Sequence, residues 1–202
     1  MKANEYSALI LCAGYSSRMG SFKPLLPLGG ETLVERIIRL FMDAGGVDVT
    51  VVLGHEAPAI TAVLERYDVS VVINERYGEG MFSSVRAGVQ QIDRKRRAFF
   101  LMPVDIPLVR QDTLQTLMNA FQKGDADVYR PCFRGSHGHP PLISSALIPA
   151  ILNFSGPGGL RALLAHYGYS ILDVAVEDPG ILVDLDTPED YLMVQKALAE
   201  CP

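Results

Sequence analysis

The chain has 202 residues, of which 49% are hydrophobic and 20% charged, so it can bury a sizeable core and is not predicted to be disordered. A formal net charge of −5 argues against a general nucleic-acid-binding surface, which would need a basic footprint. No apolar run approaches the ~20 residues of a membrane span, and residues 1–7 lack the apolar core of a signal peptide. We therefore expect a cytoplasmic protein without a nucleic-acid or membrane partner, whose three cysteines (Cys12, Cys132 and Cys201) are reduced thiols.

Apolar runs alternate with amphipathic segments along most of the chain. The predicted strands are residues 8–12, 49–53, 69–73 and 98–102, and the predicted helices are residues 32–46, 58–67, 81–92 and 112–122. The first helix should begin at Thr32, with Glu35 as its capping-box partner, and the fourth at an Asp112 cap. This alternation predicts one domain over residues 1–202, a three-layer αβα sandwich with a mostly parallel, Rossmann-like sheet.

The regular alternation breaks in the C-terminal third of the chain. Residues 131–143 carry three prolines, two glycines and two histidines, which favours a long functional loop. A last helix should begin at Thr187, with Pro188 in its first turn and Asp190 completing a capping box. Since ligands of such folds bind beyond the carboxyl ends of the strands, functional residues should directly follow strands.

The sequence LCAGYSSRMGSFK, residues 11–23, leaves the first predicted strand. Its small residues would let the backbone approach a phosphate group closely, and Arg18 and Lys23 add two positive charges. The spacing matches neither a Walker A loop nor the GxGxxG fingerprint of dinucleotide-binding proteins, which makes a nicotinamide oxidoreductase the weakest of the possible assignments. A solvated turn with two basic residues is the alternative to a phosphate-binding loop.

Asp105 follows the apolar strand 98–102, in a turn stiffened by prolines on both sides. A carboxylate next to bound phosphates requires a cation, and Mg²⁺ is expected because it needs only one or two carboxylates in addition to phosphate oxygens. Asp184 follows the apolar residues 181–183, which we expect to be a strand ending at the same edge, and is the predicted second ligand. Asp186 is the alternative, although it could instead support the start of the last helix.

Two further segments carry polar residues at positions suited to ligand binding. Ser83 and Ser84 lie in the first turn of the helix predicted at residues 81–92, where hydroxyls and free N–H groups can bind a ligand or simply cap the helix. His139 precedes two prolines that would orient its side chain towards an acceptor, or it is a structural histidine.

Together these motifs resemble those of the MobA-like nucleotidyltransferases that complete the molybdenum cofactor. The resemblance covers residues 11–23, the segment from Asn74 to Gly88, DIPL at 105–108, GHPPLI at 138–143, and DLDTPED at 184–190. Cys12 replaces the usual alanine or glycine, and Val104 stands where glycine is common. Pro157 and Gly158 replace an acidic stretch of the family.

The resemblance implies Arg18 and Lys23 as catalytic residues and a magnesium ion bound by Asp105 and Asp184. The implied nucleotide contacts are Cys12, Ala13, Gly14, Ser16, Lys23, Asn74, Gly80, Ser84 and Asp105. His139 would contact the acceptor, within a region of about residues 131–170.

Substrate choice follows from details of the same motifs. The Ala13 methyl group should narrow the base pocket, which, with Gly138-His139-Pro140, favours CTP as nucleotide and molybdopterin as acceptor. A client molybdoenzyme or chaperone is left open as a protein partner. The alternatives are a cytidylyl- or uridylyltransferase acting on a sugar- or polyol-phosphate, and a nucleotide-sensing module without turnover.

Overall fold

The structure is a computed structural model that describes residues 5–200, so Met1–Asn4, Cys201 and Pro202 lie outside the described residues. The strands are β1 (Tyr6–Cys12), β2 (Pro27–Leu28), β3 (Glu31–Thr32), β4 (Val47–Leu53), β5 (Ser70–Ile73), β6 (Ala98–Pro103), β7 (Val128–Phe133), β8 (Ser136–His137), β9 (Leu142–Ser144) and β10 (Ile171–Ala175). The helices are α1 (Leu33–Ala44), α2 (Ala57–Leu64), α3 (Met81–Val89), α4 (Gln111–Lys123), α5 (Ile148–Asn153), α6 (Gly159–Tyr167) and α7 (Pro188–Glu200). None of the helices within residues 5–200 is long and apolar enough to cross a bilayer.

The main sheet has the strand order β10-β7-β9-β6-β1-β4-β5, with β8 paired to β7. Strands β6, β1, β4 and β5 are parallel neighbours, as are β7 and β10, whereas β9 runs antiparallel between β6 and β7. Helices α1, α2, α4 and α7 cover one face, and α3, α5 and α6 cover the other. The predicted three-layer αβα sandwich with a mostly parallel sheet is therefore confirmed.

Two of the three predicted helix caps are confirmed. The Thr32 hydroxyl accepts a hydrogen bond from the Glu35 N–H, and the Glu35 carboxylate accepts one from the Thr32 N–H at 2.8 Å, which fixes the start of α1. At α7, Thr187 Oγ1 accepts from the Asp190 N–H at 3.2 Å, and Asp190 Oδ2 accepts from the Thr187 N–H at 2.8 Å.

The predicted Asp112 cap of α4 is wrong. Arg110 occupies the cap position, and Asp112 lies in the first turn, where it pairs with the Arg110 guanidinium. The start of α4 is held instead by Asp178, a fully buried carboxylate that accepts hydrogen bonds from the Arg110 N–H at 2.8 Å and the Thr113 hydroxyl at 2.7 Å. A contact from so distant a segment leaves no local sequence signal.

The long loop predicted at residues 131–143 is also wrong, because this segment contains the end of β7, all of β8 and the start of β9. Its prolines are accommodated because their carbonyls still accept hydrogen bonds: Pro131 O from the Gly138 N–H at 3.0 Å, and Pro141 O from the Leu101 N–H at 3.1 Å. The adjoining Leu142 is fully buried. The segment therefore extends the sheet.

Residues 181–183 do not form the expected strand; a 3-10 turn spans Pro179–Leu182 instead. The His139 N–H donates to the Ile181 carbonyl at 3.0 Å, and the Leu185 N–H donates to the Asp105 carbonyl at 2.9 Å. These bonds hold the segment against the ends of the strands, so it crosses the carboxyl edge of the sheet without joining the sheet. We call residues 178–186 the C-terminal strap.

Candidate functional site

A cleft of about 420 Å³ opens at the carboxyl edge of the sheet, between the loops that follow β1, β5 and β6. Of the residues singled out in the sequence, those that line it are Cys12, Ala13, Gly14, Ser16, Arg18, Lys23, Gly80, Ser84 and Asp105. The strap contributes Asp186. Asn74, His139 and Asp184 are not among the lining residues.

The loop after β1 folds back on itself through Ser16. Its backbone adopts a left-handed conformation (φ +54°), and its carbonyl accepts a hydrogen bond from the Met19 N–H at 3.1 Å. The Ser16 hydroxyl accepts from the Lys23 N–H at 3.1 Å, which fixes the point where a 3-10 turn at Lys23–Leu25 begins. Met19 is buried against the core. The loop thus brings Lys23 back to the strand end it left.

Cys12 and Ala13 have less access to the cleft than the sequence suggested. Both are at most 5% exposed, and a Cβ built on Gly54 would come within 2.9 Å of the Ala13 methyl group, which is therefore close to the end of β4. Burial, followed by the negative charge of Asp105, raises the pKa of the Cys12 thiol, so this side chain is neutral.

Lys23 is the central cation of the cleft. Its side chain is only 9% exposed, and its Nζ donates to Asp186 Oδ1 at 2.6 Å and to Asp105 Oδ2 at 3.2 Å. Burial by itself lowers the pKa of Lys23, but the hydrogen bonds and charges of Asp186 and Asp105 outweigh it, and the net pKa is raised. Arg18, which is 72% exposed, pairs with the other oxygen of Asp186. Lys23 is therefore charged at neutral pH.

Three carboxylates converge beside Lys23. Asp105, Asp184 and Asp186 each place one carboxylate oxygen within 4.8 Å of the others. Partial burial and then the negative charges of Asp105 and Asp186 raise the pKa of Asp184. Such mutual repulsion, in an all-oxygen donor set, fits a hard divalent cation. The predicted pair of Asp105 and Asp184 is brought together, and Asp186 joins it.

The segment from Asn74 to Ser84 is organised by internal hydrogen bonds. Asn74 is buried, and its amide Nδ2 donates to the hydroxyls of Ser83 at 2.8 Å and Ser84 at 3.0 Å. Asn74 therefore supports this segment from behind, while Gly80, at φ +100°, begins α3 at the wall of the cleft.

His139 lies beside the C-terminal strap, outside the cleft. Burial lowers the pKa of its imidazole, partly opposed by a hydrogen bond to the Leu101 backbone, so the ring is neutral at pH 7. Its buried Nδ1 has no hydrogen-bond partner among the described residues. The neighbouring Gly138 is packed against the strap, since a Cβ there would lie 2.3 Å from the Ile181 carbonyl oxygen.

Sequence reasoning missed two kinds of residue at the site. Tyr15 and Tyr77 line the cleft, but single aromatic residues in loops form no pattern that distinguishes them. Asp178 anchors the strap through the Gly180 N–H at 2.9 Å as well as through α4. Its only signal was the Asp-Pro pair that begins a turn.

Comparison with known proteins adds a family to this geometry. Residues 8–171 match the family model of the MobA-like NTP transferase domain. The molybdenum cofactor cytidylyltransferase of Escherichia coli is 28% identical over 197 residues, covering 95% of this chain and 96% of the relative. The nicotine blue oxidoreductase of Paenarthrobacter nicotinovorans is 30% identical over 193 residues, covering 91% and 93%.

Solved structures agree on the fold. A nucleotidyl transferase from Methanothermobacter thermautotroptrophicus has a TM-score of 0.85 and 26% identity, covering 99% of this chain and 100% of its own. Rv0371C of Mycobacterium tuberculosis, solved in complex with manganese, has a TM-score of 0.80 and 22% identity, covering 96% and 99%. The two cations and three carboxylates of the cleft agree with these similarities, and the chain belongs to the MobA-like NTP transferase domain family of nucleotidyltransferases.

Proposed function

We propose that this chain transfers CMP from CTP to the phosphate of a molybdopterin-type acceptor, with release of pyrophosphate. The observation that carries the proposal is the contact of Lys23 with Asp105 and Asp186, because it places a buried cation and a carboxylate cluster at one end of a nucleotide-sized cleft. A triphosphate needs such cations, and a metal ion needs such carboxylates.

The roles of the residues follow from this charge distribution. Small residues of the segment 13–20 would let its backbone hold the β- and γ-phosphates, and Lys23 and Arg18 would offset the negative charge that develops on the α-phosphate and pyrophosphate. An oxygen of the acceptor phosphate attacks the α-phosphorus of CTP, and the bond from that phosphorus to the pyrophosphate breaks on the opposite side. Since a phosphate monoester is already ionised near pH 7, no protein base is required, and catalysis consists of positioning and charge stabilisation.

Asp105, Asp184 and Asp186 are the residues that would hold Mg²⁺. When bound, the ion would supply positive charge that offsets the negative charge of the phosphate oxygens. Their oxygen-only donor set supports this assignment, and the manganese complex of the M. tuberculosis structure supports a divalent ion in this fold.

The choice of CTP and of the acceptor is supported by motifs and by one relative. Ala13-Gly14 and Gly138-His139-Pro140 are similar to the cytidylyl branch, and the E. coli relative is a molybdenum cofactor cytidylyltransferase. We propose residues 131–170 as the acceptor side, with His139 as a contact. The whole chain would then act as one cytoplasmic domain, with a molybdoenzyme or chaperone as its client.

The decisive experiment measures pyrophosphate release with Mg²⁺ and each of CTP, GTP, ATP and UTP, with and without molybdopterin cofactor. Release confined to CTP plus the pterin is the expected result. Release with a sugar- or polyol-phosphate instead would show that the acceptor is not molybdopterin, and release with GTP would overturn the assignment of CTP as the nucleotide. Nucleotide binding without release from any pair, or oxidation of a nicotinamide cofactor, would contradict transfer itself; the P. nicotinovorans relative is an oxidoreductase, so the second outcome must be measured.

A further inference from the structure

Three aromatic rings form a cluster at the rim of the cleft. Tyr15 follows Gly14 in the loop after β1, His55 follows β4, and Tyr77 begins a 3-10 turn at Tyr77–Glu79 after β5. The Tyr15 ring centroid lies 5.0 Å from that of His55 and 5.3 Å from that of Tyr77. We call these three residues the aromatic wall.

The sheet order places the aromatic wall away from the charged end of the cleft. Along the carboxyl edge the strands run β6, β1, β4, β5, so Asp105 follows β6 whereas His55 and Tyr77 follow β4 and β5. Neighbouring strands are ~4.8 Å apart, which separates the ends of β6 and β5 by about 14 Å. The cleft therefore has a charged end and an aromatic end, and both are within reach of one elongated ligand.

The wall is rigidly supported. A Cβ on Gly54 would lie 2.7 Å from the Tyr77 Cβ, so only glycine there lets Tyr77 pack against the end of β4. The His55 N–H donates to the Ala13 carbonyl at 3.2 Å, which connects the aromatic wall to the loop after β1. Tyr15 nevertheless remains 56% exposed. A ring that is exposed yet held on two sides can bind another ring at little cost in side-chain entropy.

We infer that Tyr15, supported by Tyr77 and His55, is the stacking surface for the base of the nucleoside triphosphate. This inference rests on the proposed function and adds to it the residue that holds the base. If the triphosphate occupies the charged end, its base extends towards the wall, past Gly80 and Ser84, which line the same cleft. The acceptor must instead approach the α-phosphate at the charged end, so its own ring is the less suitable partner for Tyr15.

The test compares two ligands that differ by the nucleoside. Dissociation constants for CTP and for inorganic tripolyphosphate, each with Mg²⁺, would be measured by calorimetry on the wild type and on Tyr15→Ala, Tyr15→Phe and Met42→Ala. Met42 serves as the control because it is a large, 43% exposed side chain in α1, outside both the cleft lining and the proposed acceptor side. Tyr15→Ala should weaken CTP about tenfold or more, the typical effect of losing one base-stacking ring, and leave tripolyphosphate unchanged. Tyr15→Phe keeps the ring, so it and the control should behave as the wild type.

Two outcomes would overturn the inference while leaving the proposed function intact. Unchanged CTP affinity in Tyr15→Ala would show that the base does not stack there. Equal weakening of CTP and tripolyphosphate would show that Tyr15 only supports the phosphate loop. Wild-type protein that binds neither ligand would instead refute the proposed function, and this inference with it.

Discussion

Replacing Lys23 by methionine should have opposite effects on catalysis and on binding of free metal. Lys23 Nζ donates to two carboxylates, at 2.6 Å and 3.2 Å, so in the absence of substrate it competes with a cation for the same oxygens. A hydrogen bond between charged groups contributes about 1.5–3 kcal/mol, and displacing even the weaker of the two costs about 1.5 kcal/mol. Removing Lys23 should therefore tighten Mn²⁺ binding by at least about tenfold.

The same substitution removes charge stabilisation in the reaction. Loss of one preorganised donor to a developing negative charge typically lowers kcat by about 10²–10³. Lys23→Met should therefore bind Mn²⁺ more tightly, as measured by electron paramagnetic resonance titration, and release pyrophosphate far more slowly. Lys123→Met, at the end of α4, removes the same charge far from the cleft and serves as the control.

Either of two results would refute this reasoning. Full activity in a folded Lys23→Met protein would show that Lys23 takes no part in transfer. Unchanged or weaker Mn²⁺ binding, with the same unfolding midpoint as the wild type, would show that Lys23 does not compete for the carboxylates.

Three further predictions concern the carboxylates, the aromatic wall, and His139 beside the strap. Asp186→Asn should weaken Mn²⁺ binding, measured by calorimetry, and should lower activity more than Asp184→Asn does, because of these two carboxylates Asp186 is the one that accepts a hydrogen bond from Lys23; equal losses of activity would contradict this. Gly54→Ala should destabilise the protein by about 1–3 kcal/mol in urea unfolding and raise the KM for nucleotide, because the new methyl group displaces Tyr77. Burial lowers the folded-state pKa of His139, so its contribution to stability is present above the unfolded pKa of about 6.5 and is lost as pH falls below it. The loss of stability between neutral and mildly acidic pH should be smaller in His139→Gln than in the wild type, and an equal loss would place its cause elsewhere.

Much of the N-terminal part of the fold could be predicted, because the sequence patterns that indicate it are local. The residues that form β1 are consecutive, and the two residues of the Thr32–Glu35 capping box are three positions apart. The loop after β1 could be singled out for the same reason, since its small residues and two cations lie within 13 positions.

The remaining features depend on contacts between distant segments. Pro131 and Pro141 suggested a loop because proline lacks an N–H, yet their carbonyls accept hydrogen bonds from Gly138 and Leu101, which only the fold brings near. The strap looked like a strand because residues 181–183 are apolar, but Asp178 and the Asp105 carbonyl fix it in another position. The choice between Asp184 and Asp186 could not be made from spacing, because both reach the same cluster.

The contact between Lys23 and Asp186 joins residues 163 positions apart. During synthesis the parallel strands β1, β4, β5 and β6 and the loop after β1 are therefore made long before the strap, which carries Asp184 and Asp186. Until then Arg18 and Lys23 lack Asp186, Lys23 keeps only Asp105 as a partner, and the cleft presents an excess of positive charge. Under the proposed function, the unfinished protein would bind a free polyphosphate better than it could use one, and activity would require the strap and the first turn of α7 to have folded.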